Sequence, residues 1–486
     1  MASGAIAPIA EKARHFIAGE WVAPEHGGTI DVEDPSTGER LGGIAAGDVA
    51  DVDVAVAAAK DAMTRQWTPM QRQDALLALA HAVQTNGEEL ALIESLDAGK
   101  PIANNRRIDI PAAAATLRYF AGWATKLTGE TMELSQPGNW TGFTLREPVG
   151  VVGQIIPWNY PLMGAAFKIG PAIAAGCAVV LKPAEQSSLS ALRLAELSTA
   201  CGFPPGFINV VTGAGPVAGA ALVAQPDIAK VSFTGSTATG SEIAATCARQ
   251  IKRVTVELGG KSPVIVMPDA DLDAAARGIA MGIFFNTGQT CSAGSRLLVH
   301  ASVADALVAR IAGIGSAMTI GAAIHPDTQL GPVISAAQRD RILSHVEQAM
   351  KQGARAVRAG RALPDRGYFV EPTVLTGVQP GMAAVDDEIF GPVLCAMLFE
   401  TTDLDEIAAL ANATRYGLAA YVWTASLATA HGLVARLNAG TVRINSGGGA
   451  DLSMPAGGVK QSGFGRENGR AGVEAYTELK SVTMVY

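Results

Sequence analysis

Cys291 stands in the run Asn286-Thr-Gly-Gln-Thr-Cys-Ser-Ala-Gly-Ser295, a polar, glycine-containing loop at the end of an apolar helical pattern. A thiol placed there can be exposed, and backbone N–H groups can stabilise its thiolate, the form that attacks carbonyl carbon. The other four cysteines, Cys177, Cys201, Cys247 and Cys395, lie in helices or apolar runs, where a buried, inert thiol is the default. Many loop cysteines do no chemistry, so position alone leaves a nucleophile and an idle thiol both open. Glu257 draws notice for the opposite reason. It sits near the end of the apolar strand Val254 to Leu258, where a carboxylate is costly unless it is paired or used. A general base and a buried salt bridge are the two readings.

Two glycine-rich loops could hold a phosphate. Gly213-Ala-Gly-Pro-Val-Ala-Gly219 follows a strand and opens a helix, but its spacing is GxGxxxG and not the GxGxxG of dinucleotide loops. Phe233-Thr-Gly-Ser-Thr-Ala-Thr-Gly240 also joins strand to helix, and it places hydroxyls at a helix N-terminus, where unpaired N–H groups favour an anion. Simple capping by Ser236 would explain the same residues. Gly260-Lys261-Ser262 looks like the end of a P-loop, yet Thr255 stands where that motif needs glycine and Pro263 follows. No Walker A site is expected. The histidines are scattered without HExxH and the cysteines lack CxxC spacing, so no metal site is expected either.

These groups need a scaffold, and the sequence describes one. From Val149 onward the apolar runs Val151 to Ile156, Ala178 to Leu181, Phe207 to Val211, Ala229 to Phe233 and Val254 to Leu258 alternate with helical patterns beginning near Leu162, Ser188, Gly215 and Ser236. Short buried strands separated by helices predict a parallel, doubly wound, Rossmann-like sheet. A second α/β series follows a boundary near Gly259-Gly260: Pro263 to Val266, a helix Leu272 to Phe285, Arg296 to His300, a helix Val303 to Ile314, then Val393 to Phe399, Leu418 to Thr424 and Thr441 to Ile444. Upstream, Ile30 to Ile44 reads as strand and turn, Val49 to Thr64 as a helix, and helical periodicity continues to about Leu127. Gly142 to Arg146 and Lys480 to Tyr486 read as strands outside both series. The latter has no evident partner in its own domain and could pair across a subunit interface.

Composition narrows the class. A chain of 486 residues with 49% hydrophobic and 17% charged residues buries a large core. The 54 glycines point to many tight turns or to backbone brought close to a ligand. A net charge of −8 with no basic run counts against nucleic acid and anionic membranes as partners. No stretch reaches the ~18 uninterrupted apolar residues of a membrane span, the start from Met1 to Arg14 does not read as a secretion signal, and five scattered cysteines suggest reduced thiols. A cytoplasmic protein is expected.

Taken together with Cys291 and Glu257, seven segments in order make the chain similar to the aldehyde dehydrogenase superfamily, in its hydrolytic NAD(P)-dependent branch, from about Phe16 to Tyr486. They are Pro157-Trp-Asn-Tyr-Pro161, Leu181-Lys-Pro-Ala-Glu-Gln186, Phe233-Thr-Gly-Ser236, Glu257-Leu-Gly-Gly-Lys261, Gln289-Thr-Cys291, Glu388-Ile-Phe-Gly-Pro392 and Ser462-Gly-Phe-Gly-Arg-Glu467. The resemblance implies an α/β fold with a Rossmann-like NAD-binding domain (1–129 and 149–259) and a second α/β catalytic domain (260–459). It also implies a small β oligomerisation extension (130–148 and 476–486), a connecting segment at the active site (460–475), and a homodimer or homotetramer. Cys291 would be the nucleophile, Asn159 and the Cys291 N–H the holders of the oxyanion, Glu257 the base that cleaves the thioester, and Lys168 with Glu467 a proton relay. Among the cofactor residues, Lys182 and Glu185 would take the adenosine ribose, Ser236 a phosphate, and Glu388 with Phe390 the nicotinamide riboside. Ile155, Pro157, Trp158, Gly215, Phe233, Gly235 and Leu258 would complete that site. Glu185 repels a 2′-phosphate, so NAD is expected over NADP, with NADP still possible.

The tunnel is where the chain departs from small-aldehyde relatives. Its wall would comprise Tyr160, Met163, Gly164, Phe167, Phe285, Thr290, Ser292, Ala450, Leu452 and Ala456. Gly164, Ala450 and Ala456 replace large side chains, which predicts a wide apolar tunnel for bulky or aromatic aldehydes. Refilling by Leu452 or Met454 is the competing expectation. No arginine falls in these segments, which counts against aldehydes bearing a carboxylate, and the lack of an aromatic cage counts against betaine aldehyde. A coenzyme-A-acylating enzyme would lack Glu257, and a non-catalytic protein on this fold would tolerate loss of Cys291, Asn159 or Glu257. All three are present.

Overall fold

Five of the apolar runs form the parallel centre of an eight-stranded sheet. A computed structural model gives the structure of residues 12–449 and 451–486. Val151–Ile156 and Ala178–Pro183 are buried at every position, as strands covered by helices on both faces must be. From Val151–Ile156 the chain steps outward through Ala178–Pro183 to Ile208–Val210, then returns to the other side with Ile228–Thr234 and Arg253–Glu257. That reversal opens a crevice at the carboxyl ends of Val151–Ile156 and Ile228–Thr234, the place where open α/β sheets take ligands. His15–Ile17 with Glu20–Val22 extends one edge antiparallel, and Gly463–Phe464 extends the other beside Glu257.

The second sheet has seven strands in the order Arg355–Val357, Thr373–Thr376, Val393–Phe399, Arg296–His300, Pro263–Val266, Ala419–Trp423 and Thr441–Ile444. All pair in parallel except Arg355–Val357. Only Leu258 to Ser262 separates the two sheets in the chain, so the turn at Gly259-Gly260 lies where they meet in sequence.

Three expectations need correction. The C-terminal strand is Thr477–Val485 and has a partner in its own chain, pairing antiparallel with Trp140–Pro148 along its whole length, while Thr131–Met132 covers the far side. The segment 460–475 does more than connect, because Gly463–Phe464 adds a strand to the first sheet. The loop at Gly215 opens not as an ordinary α-helix but as a π-helical turn, Gly215–Gly219, before the short helix Ala220–Ala224. The helix Ala336–Lys351 and the strands Arg355–Val357 and Thr373–Thr376 were not anticipated. Only Ile342, Val346 and Ala349 of that helix are buried, so its apolar signal is thin.

Candidate active site

The loop carrying Cys291 is held in a backbone conformation that few sequences tolerate. After the helix Leu272–Phe284, Asn286 and Thr287 adopt φ of 49° and 54°, and Gly288 follows at 73°. A side chain at Gly288 would collide with the carbonyl of Gly391, so glycine is required there. Three buried amides lace the loop. Asn286 Nδ2 donates to the carbonyls of Asn159 and Gln289 at 3.0 and 3.2 Å, Asn159 Nδ2 donates to the carbonyl of Gln289 at 2.9 Å, and Gln289 Nε2 donates to the carbonyl of Asn286 at 3.1 Å. Gln289 Oε1 also accepts from the N–H of Ile334 at 2.9 Å. One N–H of Asn159 is thereby used to hold the loop. Strain of this kind persists only when the surroundings over-determine it, and it clusters at active sites. On the opposite side Gly260 lets the Cys291 carbonyl approach to where a Cβ would lie, 2.6 Å away. The loop carrying Cys291 is thus pinned against the turn that follows Glu257.

Electrostatics decide the resting states. Burial pushes the Cys291 thiol up to about 12, the carboxylates of Glu388 and Glu257 add to the rise, and the N–H groups of Ser292 and Cys291 oppose it. The residue nonetheless keeps partial exposure. Glu257 is buried at the end of Arg253–Glu257, and its carboxyl is held well above the usual range by burial first and the charge of Glu467 second, against Lys168, Arg466 and the Gly458 N–H. The buried salt bridge offered as its alternative is not found among the described residues, and Glu257 Oε1 has no hydrogen-bond partner there. Gly457 leaves that oxygen room, since a Cβ would sit 2.7 Å from it. The ion pair belongs instead to Lys168 and Glu467, at 2.5 Å, with Lys168 Nζ also donating to Ser232 Oγ at 2.9 Å. Ser232 was not anticipated as a member of this group.

The cofactor candidates gather at the carboxyl ends of the first sheet. Lys182 Nζ meets Glu185 Oε2 at 3.0 Å. Gly215 has open space where a Cβ would point, and a Cβ on Gly219 would come within 4.0 Å only of Lys182 and Ile155, which leaves a glycine-floored surface beside those side chains. Gly235 sits directly on the ring of Phe233. Ser236 caps the helix Thr237–Arg249 by accepting from the Thr239 N–H, so the capping role is present whatever else the residue binds. From the second sheet's side, Glu388 Oε1 accepts from the Gly260 N–H at 2.9 Å, and Phe390, at φ 58°, sets its ring edge-on to Trp158 with centroids 5.3 Å apart. Leu258, buried, donates its N–H to the Ser462 carbonyl, while Pro157 begins the loop to Asn159. These open surfaces and paired polar groups fit an extended dinucleotide.

A family profile described as "Aldehyde dehydrogenase family" matches residues 21–482. The chain belongs to the aldehyde dehydrogenase family. It is 44% identical over 481 residues to a phenylacetaldehyde dehydrogenase of Pseudomonas fluorescens, covering 97% of this chain and 95% of that one. An aldehyde dehydrogenase from Bacillus cereus solved as an NAD+ complex superposes with a TM-score of 0.95 at 43% identity, covering 98% and 97% of the two chains. An indole-3-acetaldehyde dehydrogenase complexed with NAD+ superposes with a TM-score of 0.96 at 40% identity, covering 100% and 99%.

In this aldehyde dehydrogenase the candidate wall residues converge in part. Tyr160, Met163, Gly164 and Phe167 form the partly exposed stripe at the start of the helix Pro161–Ala175, and Phe285, Thr290 and Ser292 flank the cysteine loop with similar exposure. Tyr160 OH and Thr290 Oγ1 lie 2.7 Å apart, which joins the two sets. Ala456 pairs backbone to backbone with Glu467, donating at 2.7 Å and accepting at 2.8 Å. Ala450 lies outside the described residues. Met454 is 62% exposed and does not fold inward, while Leu452 is half-buried. Sequence reading missed Tyr421, whose hydroxyl donates to the Ser292 carbonyl at 2.7 Å, and Arg443, which donates to that hydroxyl at 2.9 Å. An arginine therefore stands one residue behind the wall although none falls in its segments. Parallel pairing of their two strands brings Arg443 opposite Tyr421, a register that the sequence does not announce.

Proposed function

We propose that this enzyme oxidises bulky apolar aldehydes, aromatic ones among them, to carboxylic acids with NAD, through a covalent intermediate on Cys291. The carrying observation is the placement of the Cys291 loop between the amide of Asn159 and the turn following Glu257. Ile155, Pro157, Trp158, Lys182, Glu185, Gly215, Phe233, Gly235, Ser236, Leu258, Glu388 and Phe390 would hold the dinucleotide, whose nicotinamide ring supplies the hydride acceptor. The sulfur adds to the aldehyde carbon, and its proton leaves toward solvent. The free N–H of Asn159 and the Cys291 N–H stabilise the oxyanion, each such donor contributing ~10²- to 10³-fold in rate. Once the carbon is at the acid level, Glu257 removes a proton from water and the thioester is cleaved. Lys168 and Glu467 carry that proton outward, and Glu467 lies next to Glu257 in charge space. The three-stranded sheet of Thr131–Met132, Trp140–Pro148 and Thr477–Val485 would join subunits into a homodimer or homotetramer in the cytoplasm. Among the described residues no helix is long and apolar enough to cross a membrane.

The names of two relatives, phenylacetaldehyde and indole-3-acetaldehyde dehydrogenase, support the aromatic substrate class. So does Met454 pointing outward. With alanine at position 456 of the proposed wall, bulky apolar aldehydes should exceed acetaldehyde in kcat/KM chiefly through KM, because each buried methylene contributes up to ~0.8 kcal/mol. Ala456→Phe should raise KM for phenylacetaldehyde about tenfold and spare acetaldehyde. Ala456 is tied to Glu467 through backbone groups only, so the substitution removes no side-chain hydrogen bond. Equal effects on both substrates, or a wild type that prefers acetaldehyde, would remove the wide-tunnel reading.

Cofactor choice gives a second check. Glu185 is the carboxylate nearest Lys182 and retains about a third of its side-chain exposure, free to face a ribose. NAD should give the higher kcat/KM, and Glu185→Ala should narrow the NAD-to-NADP gap by about tenfold by removing repulsion toward the 2′-phosphate. A wild type that prefers NADP would show the charge argument wrong at this site.

A further inference from the structure

Lys100 and Asp109 come from the segment between the helices Gly87–Ala98 and Ile110–Ala121, far in sequence from the tunnel. Their side chains are 1% and 0% exposed and meet at 2.6 Å. A buried ion pair is often no better for stability than apolar residues of the same volume, so its presence asks for another reason. The reason lies on the far side of the ammonium. Lys100 Nζ stands 3.6 Å from the centre of the Tyr160 ring and 5.9 Å from that of Phe285, the two aromatic residues of the candidate wall that flank the catalytic loop. Tyr160 in turn meets Thr290, the neighbour of Cys291, through its hydroxyl. A continuous path therefore runs from Asp109 through Lys100 and the Tyr160 ring to the residue beside the thiol.

The surroundings hold this path rigid. Asp109 closes the π-helical turn Asn105–Asp109, a kind of distortion frequent at functional sites. Asn105, fully buried, donates to Ser95 Oγ at 2.9 Å and to the Lys100 carbonyl at 3.3 Å, which fixes the backbone that carries the ammonium. Glu94, also fully buried, accepts from the Leu162 N–H at 2.9 Å and from Ser190 Oγ at 2.5 Å, which fixes the start of the helix bearing Met163, Gly164 and Phe167. A desolvated cation against an aromatic face attracts more strongly than an exposed one. We propose that the Lys100–Asp109 pair is a positioning device of the aldehyde tunnel, holding the Tyr160 ring from behind and so setting how well a bulky aldehyde is accommodated. This rests on reading Tyr160 and Phe285 as tunnel wall.

The test is a double-mutant cycle read as a specificity ratio. Lys100→Met/Asp109→Asn removes both charges together, which avoids leaving one buried and unpaired. It is compared with the wild type in the Tyr160 and the Tyr160→Leu backgrounds, with phenylacetaldehyde and acetaldehyde as substrates and an NAD titration to confirm an intact cofactor site. The expected result is a fall of about tenfold in the phenylacetaldehyde-to-acetaldehyde ratio of kcat/KM, carried by KM, in the Tyr160 background, and little change in the Tyr160→Leu background. An unchanged ratio, or an equal fall in both backgrounds, overturns the proposal. In the otherwise unaltered chain, Tyr160→Phe should keep the ratio because a ring still covers the ammonium, and Tyr160→Leu should lose it. Equal behaviour of the Phe and Leu variants also overturns the proposal, even where the charge-free variant does not fold. A wild type that prefers acetaldehyde would count against the substrate class alone, since the cycle still reads whether Lys100 acts through the ring.

Discussion

Cys291→Ala should lower aldehyde-dependent NADH formation on the order of 10⁴-fold or more, with NAD binding nearly intact. Hydride cannot readily leave an aldehyde carbon, because the product would be an acylium ion. Addition of sulfur first makes a tetrahedral thiohemiacetal whose oxyanion drives hydride out, and alanine offers no atom to form it. The rest of the site does not depend on that sulfur. Asn286, Gln289 and Asn159 hold the loop through their own amides, and the Cys291 carbonyl keeps its seat on Gly260. The proposed cofactor contacts lie on Lys182, Glu185, Ser236 and Glu388, on other elements. Steady-state absorbance at the NADH band with phenylacetaldehyde measures the loss, and tryptophan fluorescence titration with NAD measures the binding. Substantial residual turnover would take the nucleophile's role away from Cys291.

How much of this could be read from the sequence varies with the range of the interaction. Val151–Ile156 and Ala178–Pro183 announce themselves because burial on both faces demands an unbroken apolar run. Cys291 and Glu257 are legible because each is chemically out of place in its local pattern, one a thiol in a polar loop and the other a carboxylate in an apolar strand. Asn286 and Gln289 are less so. Their sequence context shows a polar loop, but the positive φ of Asn286 and Thr287 and the reach of three amides to one another exist only once the loop is folded against Asn159. The pairing of Thr477–Val485 with Trp140–Pro148 joins residues more than 300 positions apart, and no periodicity in either strand names the other. Tyr421, Arg443 and Lys100 escape for the same reason: each acts through a contact set by strand register or helix packing. The salt bridge proposed for Glu257 fails because its cationic neighbour Lys168 is taken by Glu467, a choice made by three-dimensional placement.

Glu257→Gln separates the two halves of the reaction. Formation of the thioester needs the sulfur, the oxyanion donors and a hydride acceptor, and the glutamine leaves all of these in place. Hydrolysis needs a base for water, and an amide cannot take that proton. The variant should therefore release a burst of about one NADH per active site and then proceed at a steady rate lower by ~10²- to 10⁴-fold, the usual contribution of a positioned base. The isosteric amide does not break an ion pair, because Glu257 has none among the described residues, so slow turnover cannot be laid to a lost salt bridge. The pH dependence carries a sign as well. Burial and the charge of Glu467 hold the Glu257 carboxyl well above its usual range, so the carboxylate that acts as base grows more abundant as pH rises. Steady-state oxidation by the wild type should climb with pH through that titration wherever deacylation limits the rate, and the residual rate of Glu257→Gln should lack the same rise. Rapid-mixing absorbance across a pH series measures both quantities in one experiment. An undiminished steady-state rate without a burst would assign deacylation to another base, and the nearest carboxylate to examine next would be Glu467, already joined to Lys168 on the path out of the site.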